Sequence, residues 1–356
     1  MDPVNLHEFE TLAKERLPGT TYDYFAGGAG DEATLRANRA ALERIALRPR
    51  VLVDVTRRSL ATSVFGCELA LPVVVAPMAF QRLAHADGEL ATARAARAAG
   101  TVMTLSSLST TPMEDVVAAA GSRRVWFQLY VFKDRGATRA LVERAEAAGC
   151  SALVVTVDAP YLGRRERDVR NRFGLPHGMY VANLAGFGKG DLPPHAQGSG
   201  LAKYFEEQLD ASLTWKDIAA LRAATKLPLA VKGVLRADDA KRALHAGVAG
   251  VIVSNHGGRQ VDGAIAAIDA LPDVVAAVGA GADVLVDGGI RRGVDVVRAL
   301  ALGARSVLLG RPVLWGLSAD GERGAARVLE LLRAETDLAM ALCGCRDVSE
   351  IGGDLL

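Results

Sequence analysis

Between residues 72 and 310 one two-part unit recurs eight times. A short apolar run, rich in β-branched residues, precedes an alanine-rich amphipathic segment, and glycine often closes the unit. The runs are Pro72–Pro77, Val102–Ser106, Val125–Tyr130, Ala152–Asp158, Pro228–Lys232, Gly250–Ser254, Asp283–Asp287 and Ser306–Gly310. They are continuous rather than alternating, which suits strands of a parallel sheet buried on both faces. The segments between them read as helices. Thr111-Pro-Met-Glu114 fits an N-cap, a first-turn proline and a capping-box glutamate. Gly100, Gly149, Gly247 and Gly303 fall where helix C-termini belong. Strand–helix alternation implies right-handed crossovers. Eight such strands imply a closed (β/α)8 TIM barrel in the α/β class, with an open doubly wound sheet as the structural alternative.

Two parts stand outside this rhythm. Residues 1–70 precede the first strand and read as a mostly helical extension; residues 71–356 make the barrel, and the whole chain reads as one domain. The stretch from Pro160 to Leu213 interrupts the fourth unit and is rich in glycine and proline. A connection that long is usually functional or disordered. It reads either as a flap, about residues 175–212, over the barrel mouth or as a plain surface excursion. The length of the whole chain, 356 residues, lies within the range of barrels with additions. A net charge of +1 gives no global field directed at nucleic acid or an anionic membrane. No apolar run is long enough for a bilayer, and the start lacks the basic-then-apolar pattern of a signal peptide. Cys67, Cys150, Cys343 and Cys345 show neither zinc-type pairing nor a disulfide framework. The expectation is therefore no metal, and reduced thiols in a cytoplasmic protein. The C-terminal Gly353-Asp-Leu-Leu356 is not a Ser-Lys-Leu peroxisomal address.

The C-terminal edges of the runs carry the polar residues: Ser106, Gln128 with Tyr130, Thr156 with Asp158, Lys232, Ser254 with His256, Asp287 with Gly289, and Gly310 with Arg311. In a barrel these edges converge on one mouth, where active sites are built. The last two edges, Asp287-Gly-Gly-Ile-Arg291 and Gly310-Arg311, suit a phosphate. Glycine admits the anion to backbone N–H groups, and arginine grips it with paired bonds. Lys232 ends an apolar run, where it can neutralise negative charge on a bound ring or pair with a neighbouring carboxylate. His256 alone among six histidines lies at a strand end among small residues, with Arg259 close behind. Imidazole suits a base acting near neutral pH. Asp158 can orient it or cap a helix. Arg259 and Arg165 are candidate carboxylate clamps. The default for any one arginine in the charged run Gly163–Asp168 is solvated surface.

Four segments carry a resemblance: Tyr22-Asp-Tyr24-Phe-Ala-Gly-Gly-Ala-Gly-Asp31, Gly163-Arg-Arg-Glu166, Ser254-Asn-His-Gly-Gly-Arg-Gln260 and Asp287-Gly-Gly-Ile-Arg-Arg-Gly293. In these the chain resembles, nearly end to end, the FMN-dependent 2-hydroxy acid oxidases and dehydrogenases. That family includes enzymes acting on glycolate, lactate, mandelate and hydroxymandelate. The resemblance implies His256 as the base and Asp158 as its partner. It implies Tyr24, Arg165 and Arg259 as ligands of the substrate carboxylate, and Tyr130 as a donor to the substrate oxygen. It implies Pro77, Ala79, Ser106, Gln128, Thr156, Lys232 and Ser254 along the flavin. Asp287, Gly289, Arg291, Gly310 and Arg311 would meet the ribityl chain and phosphate of FMN.

The implied reaction turns an (S)-2-hydroxy acid into the 2-oxo acid and reduces FMN. Lys232 would stabilise negative charge on the reduced ring. The acceptor is expected to be O2, giving H2O2, with a quinone or another acceptor as the alternative. A homotetramer or homo-octamer is expected by resemblance. Leu108 stands where plant glycolate oxidases carry tryptophan, and Met78 where they carry threonine. A smaller side chain at 108 leaves room for a larger, aryl substrate. The stretch after strand four lacks the extended apolar run of membrane-bound mandelate dehydrogenases. An FMN-barrel isomerase and a non-catalytic phosphate-binding barrel are the rival readings. The first gives no reason for the His256, Arg259, Arg165 and Tyr24 set, and a yellow purified protein would exclude the second.

Overall fold

The computed structural model describes residues 3–121, 123–193 and 198–356. Three helices open the chain: α1 (Leu6–Arg16), α2 (Gly19–Ala26) and α3 (Ala33–Arg44). A strap without helix or strand, residues 45–61, leads to an antiparallel hairpin of β1 (Thr62–Val64) and β2 (Cys67–Leu69). The extension is thus helical only to Arg44, and the hairpin departs from the mostly helical expectation. Two three-residue strands are too short to carry a periodic signal.

Eight parallel strands then close into a barrel: β3 (Val73–Val75), β4 (Met103–Ser106), β5 (Val125–Leu129), β6 (Ala152–Thr156), β7 (Leu229–Val234), β8 (Gly250–Val253), β9 (Asp283–Val286) and β10 (Ser306–Leu309). Each falls within or across its sequence run, and β10 closes on β3. The helices α4 (Gly88–Ala98), α5 (Met113–Ala120) and α6 (Arg135–Ala148) follow the first three of these strands. After β6 come α7 (Glu166–Arg170), a 3-10 turn at Ala182–Phe187, α8 (Gly200–Gln208) and α9 (Trp215–Ala223). The ring is completed by α10 (Ala237–His245), α11 (Ala267–Val278), α12 (Gly293–Ala301) and α13 (Arg311–Leu342), the last kinked at Asp320–Gly321. Gly100, Gly149, Gly247 and Gly303 all have positive φ just past helix ends, as expected.

One helix start differs from the sequence reading. Thr111 does not cap α5, which begins at Met113 with no side-chain cap from its own flank. The Thr111 hydroxyl instead donates to the buried carboxylate of Glu89, and Asn183, from the insert after β6, accepts the Met113 N–H at 2.9 Å. A buried carboxylate needs donors more than a helix needs one particular cap.

Inside the barrel, alternation by two decides where the site lies. Val74, Trp126, Val154, Ala230, Ile252, Leu285 and Leu308 point inward and form an apolar floor with Val64, Phe65, Cys67 and Leu69 of the hairpin. Phe65 packs tilted against Trp126 at 4.8 Å and fills the space a Cβ at Gly250 would occupy, 2.1 Å away. Its N–H donates to Asp283 at the start of β9, so the hairpin plugs the N-terminal end. Two residues further along five of these strands the same inward column turns polar, at Gln128, Thr156, Lys232, Ser254 and Asp287, while β3 continues with Ala76 and β10 with Gly310. The barrel is therefore apolar below and polar at its C-terminal mouth.

Candidate active site

The mouth holds a cleft with about 1030 Å³ of empty space, counting the open solvent at its entrance. Tyr24, Pro77, Ala79, Ser106, Gln128, Tyr130, Thr156, Arg165, Lys232, His256, Arg259, Asp287, Gly289, Arg291, Gly310 and Arg311 all line it. Two expected residues stand one step behind. Asp158 bonds His256, and Ser254 bonds Lys232.

His256 leaves β8 in the left-handed region, with φ +59, and Gly257 and Gly258 follow with φ of +63 and +75. A non-glycine residue held so costs about 1–3 kcal/mol. The turn lifts the ring to the cleft, where its Nδ1 meets Asp158 Oδ1 at 2.9 Å. Asp158 reaches it because Gly233 bulges out of β7: a Cβ there would lie 2.5 Å from that of Asp158. Burial pushes His256 below its ordinary value of 6.5; the Asp158 charge and hydrogen bond oppose this, while Lys232 and Arg165 add to it. For Asp158, burial acts upward, but His256 and Lys232 outweigh it and hold the carboxyl below the usual range. The pair is an imidazole kept neutral beside a fixed carboxylate, the arrangement of a base with an orienting partner.

Of the two roles that the sequence left open for Lys232, the structure shows the carboxylate pair, made at the wall of the cleft. The lysine pairs with Asp287 at 2.7 Å and donates to Ser254 at 2.7 Å. Asp287 Oδ1 stays buried without a partner, an acceptor free for a ligand donor. Across the mouth Ser106 donates to Gln128, and Gln128 donates to Thr156 at 2.9 Å. Strand ends from β4 to β9 thus carry a nearly continuous polar rim.

Four arginines converge here, and the way they are satisfied is the most informative feature of the cleft. Arg259 donates to the carbonyls of Tyr24 and Gly27, and Arg311 to those of Phe25, Gly27 and Gly257. Arg291 donates to the carbonyl of Ile290. Among the described residues, none of these three pairs with a carboxylate. Arg165 turns inward from its charged run and is buried, whereas Arg164 is exposed. Its nearest carboxylate, Asp168, stands 3.9 Å off, and its Nε has no partner. Burial pulls Arg311 down to about 9 and Arg165 to about 10, and the charge of Arg259 adds to both. Burial lowers Arg291 as well. Guanidiniums desolvated this far without counter-ions call for anionic ligands. Arg291 and Arg311 flank the glycine turns after β9 and β10. Arg165 and Arg259 lie nearer His256, and Arg259 sits 5.2 Å over the Tyr24 ring.

The insert after β6 covers this cleft. Leu201 and Phe205 of α8 line it, and Phe205 packs edge-on against Tyr130 at 5.2 Å. Phe173 stacks on Tyr24 at 4.0 Å. These cover residues were not singled out from the sequence, although three buried apolar residues in a glycine- and proline-rich stretch were the available signal. Of the expected flap, residues 194–197 lie outside the described residues. Burial raises the Tyr130 hydroxyl well above the phenol range, so it stays a donor.

A (β/α)8 barrel with paired anion sites and a histidine–aspartate dyad at its mouth defines an enzyme that handles a phosphate-bearing cofactor and an acid together. The chain belongs to the FMN-dependent dehydrogenase family, whose model matches residues 13–356. It is 56% identical over 359 residues to an L-lactate oxidase of Nostoc sp. (strain PCC 7120 / SAG 25.82 / UTEX 2576), covering 99% of this chain and 98% of that protein. It is 52% identical over 351 residues to glycolate oxidase 3 of Arabidopsis thaliana, covering 99% of this chain and 95% of that one. A crystal structure of a mandelate oxidase with (S)-4-hydroxymandelic acid superposes with a TM-score of 0.93 at 48% identity, covering 98% of this chain and 97% of that one. The half-buried guanidiniums of Arg291 and Arg311, paired with no carboxylate among the described residues, and the Asp287 oxygen that no described residue meets fit FMN.

Proposed function

We propose that this protein is an FMN-dependent oxidase that converts an (S)-2-hydroxy acid to the 2-oxo acid, with O2 as acceptor and H2O2 as the second product. The observation that carries the reading is Arg165, buried with its nearest described carboxylate 3.9 Å off, and the half-buried Arg259, paired with no described carboxylate, beside a histidine that Asp158 holds and burial pushes below its ordinary value.

Arg291 and Arg311, with the backbone at Gly289 and Gly310, would hold the FMN phosphate, and Asp287 the ribityl chain. Pro77, Ala79, Ser106, Gln128, Thr156, Lys232 and Ser254 would border the ring. When bound, the flavin supplies a two-electron acceptor next to the substrate carbon. Arg165 and Arg259, with Tyr24, clamp the substrate carboxylate and so fix the α-carbon. The protonated Tyr130 hydroxyl donates to the substrate oxygen. His256 Nε2 accepts one proton from the substrate, and Asp158 stabilises the imidazolium that results. Lys232 holds positive charge beneath the ring site. The insert after β6 excludes water over the reacting atoms.

Met78, Leu108, Leu201 and Phe205 give the cleft an apolar wall. This favours a substrate with an apolar side chain, methyl to aryl, over glycolate. A homotetramer or homo-octamer and a cytoplasmic location complete the proposal. The four buried free thiols suit a reducing compartment, and sedimentation velocity reads the oligomer.

The deciding experiment is anaerobic mixing of the yellow protein with glycolate, (S)-lactate, (S)-mandelate and (S)-4-hydroxymandelate, followed by air. Bleaching by lactate or a mandelate and fast recovery in air, with peroxide formed, is the expected result. No bleaching by any 2-hydroxy acid would overturn the reading. Bleaching with slow recovery in air would replace O2 by a quinone or another acceptor.

A further inference from the structure

We propose that Asn38, on helix α3 and outside the lining of the cleft, is a positioning residue that sets the His256 loop against the glycine loop after β9. The inference rests on His256 being the base.

Asn38 and Asn255 are both buried, at 2% and 4% exposure. Their amides pair reciprocally: Asn38 Nδ2 donates to Asn255 Oδ1 at 2.8 Å, and Asn255 Nδ2 donates to Asn38 Oδ1 at 2.8 Å. Asn255 Nδ2 also donates to the Ile265 carbonyl at 3.1 Å, and its Oδ1 also accepts the Gly258 N–H at 3.1 Å. An amide side chain has two N–H donors and two oxygen lone pairs. Those of Asn255 are all used, so its orientation is fixed. Asn38 Oδ1 accepts a second bond, from the Ala267 N–H at 3.2 Å.

The consequence falls on His256. Residues 256–258 are three consecutive left-handed residues. Such a turn persists only when its surroundings hold it. Ser254 Oγ accepts the His256 N–H at one end, and Asn255 Oδ1 accepts the Gly258 N–H at the other. Asn38 locks the second clamp. The same helix supports the phosphate loop: a Cβ at Gly288 would lie 3.3 Å from the Asn38 amide, and one at Gly289 2.5 Å from the Asn38 carbonyl oxygen. The next residue, Arg39, donates to the Gly289 carbonyl at 2.9 Å. One helix turn of the N-terminal extension therefore sets the distance between the base and the cofactor loop.

The test compares Asn38→Ala, which removes the whole amide pair, with Asn38→Asp, which keeps both acceptor bonds of Asn38 and removes its donor to Asn255. Stopped-flow bleaching by saturating 2-hydroxy acid is measured without oxygen and expressed per bound flavin, so unfolded protein does not enter. The bleaching rate should fall roughly tenfold to a hundredfold in Asn38→Ala and by less in Asn38→Asp. Half-saturating substrate should change little, because Arg165 and Arg259 are untouched. The acid limb of bleaching at subsaturating substrate, which reports the free enzyme, should move up toward pH 6.5, the ordinary value His256 regains as its burial loosens. Fluorescence titration should show weaker FMN binding. A rate per bound flavin and an acid limb equal to those of the unsubstituted protein, whatever the loss of stability, would reduce Asn38 to a packing residue. Failure of the unsubstituted protein to bleach would instead count against the oxidase reading.

Discussion

The base role proposed for His256 rests on three features that no single residue type reveals. The left-handed turn lifts it, Asp158 fixes its Nδ1, and the surrounding cations and burial keep it neutral. Replacing it with alanine removes a general base, worth about 10²–10⁴ in turnover, while the phosphate arginines remain. His256→Ala protein should therefore purify yellow and bleach at least a hundredfold more slowly with the best 2-hydroxy acid; near-normal turnover would sink the assignment. The direction of the His256 shift gives a second expectation. The base must be unprotonated, its folded value lies below 6.5, and activity is lost as pH falls through that value. The acid limb of kcat/KM, which reports the free enzyme, should thus have its midpoint below pH 6.5. A midpoint above 7 would mean that His256 is not the group being read.

Among the elements, the hairpin and the helices before the barrel divide the work by end. The β1–β2 hairpin stoppers the N-terminal end, whereas α2 and α3 lie at the mouth through Tyr24, Asn38 and the carbonyls held by Arg259 and Arg311. Truncating Phe65 to alanine removes a ring packed on Trp126 and leaves a void above Gly250. The cost is about 3–5 kcal/mol, read as a lower urea midpoint. Because the plug and the cleft are at opposite ends of the strands, kcat/KM of the folded protein should stay within about twofold, since distant sites couple weakly. A large fall in kcat/KM at full stability would contradict that separation. Barrel strands were legible because each is a continuous apolar run. The hairpin was not, because three-residue strands lack a period.

The whole molecule carries its charge unevenly. Net charge is only +1, yet four guanidiniums gather in one cleft, three of them without a carboxylate among the described residues. Removing FMN should therefore destabilise the protein by the full binding linkage, RT ln(1 + [L]/Kd). Inorganic phosphate should restore part of the loss by meeting Arg291 and Arg311. Differential scanning fluorimetry of apo and loaded protein, with and without phosphate, reads both. Equal melting temperatures for the two forms would remove the electrostatic argument for the phosphate site. No described helix is long and apolar enough to cross a membrane.

The order of the eight barrel strands and the polar residues at their ends were legible in the sequence by itself, since a parallel barrel gathers all strand C-termini at one mouth; Tyr24, Pro77 and Ala79 came from the family resemblance. The motif residues also carried the cofactor and the reaction class. Only the tertiary structure decided which charges are solvated and which wait for a ligand. Arg164 and Arg165 are adjacent and chemically alike, yet one faces water and the other is buried beside His256. Lys232 reads as a cleft cation or as an ion pair, and it forms the pair while lining the cleft, because Asp287 and Ser254 reach it from the ends of β9 and β8. Thr111 reads as a helix cap and serves Glu89 instead. In each case the deciding quantity is burial against a neighbour distant in sequence. Local patterns set the strands and the mouth, and long-range packing set the state of each charge there.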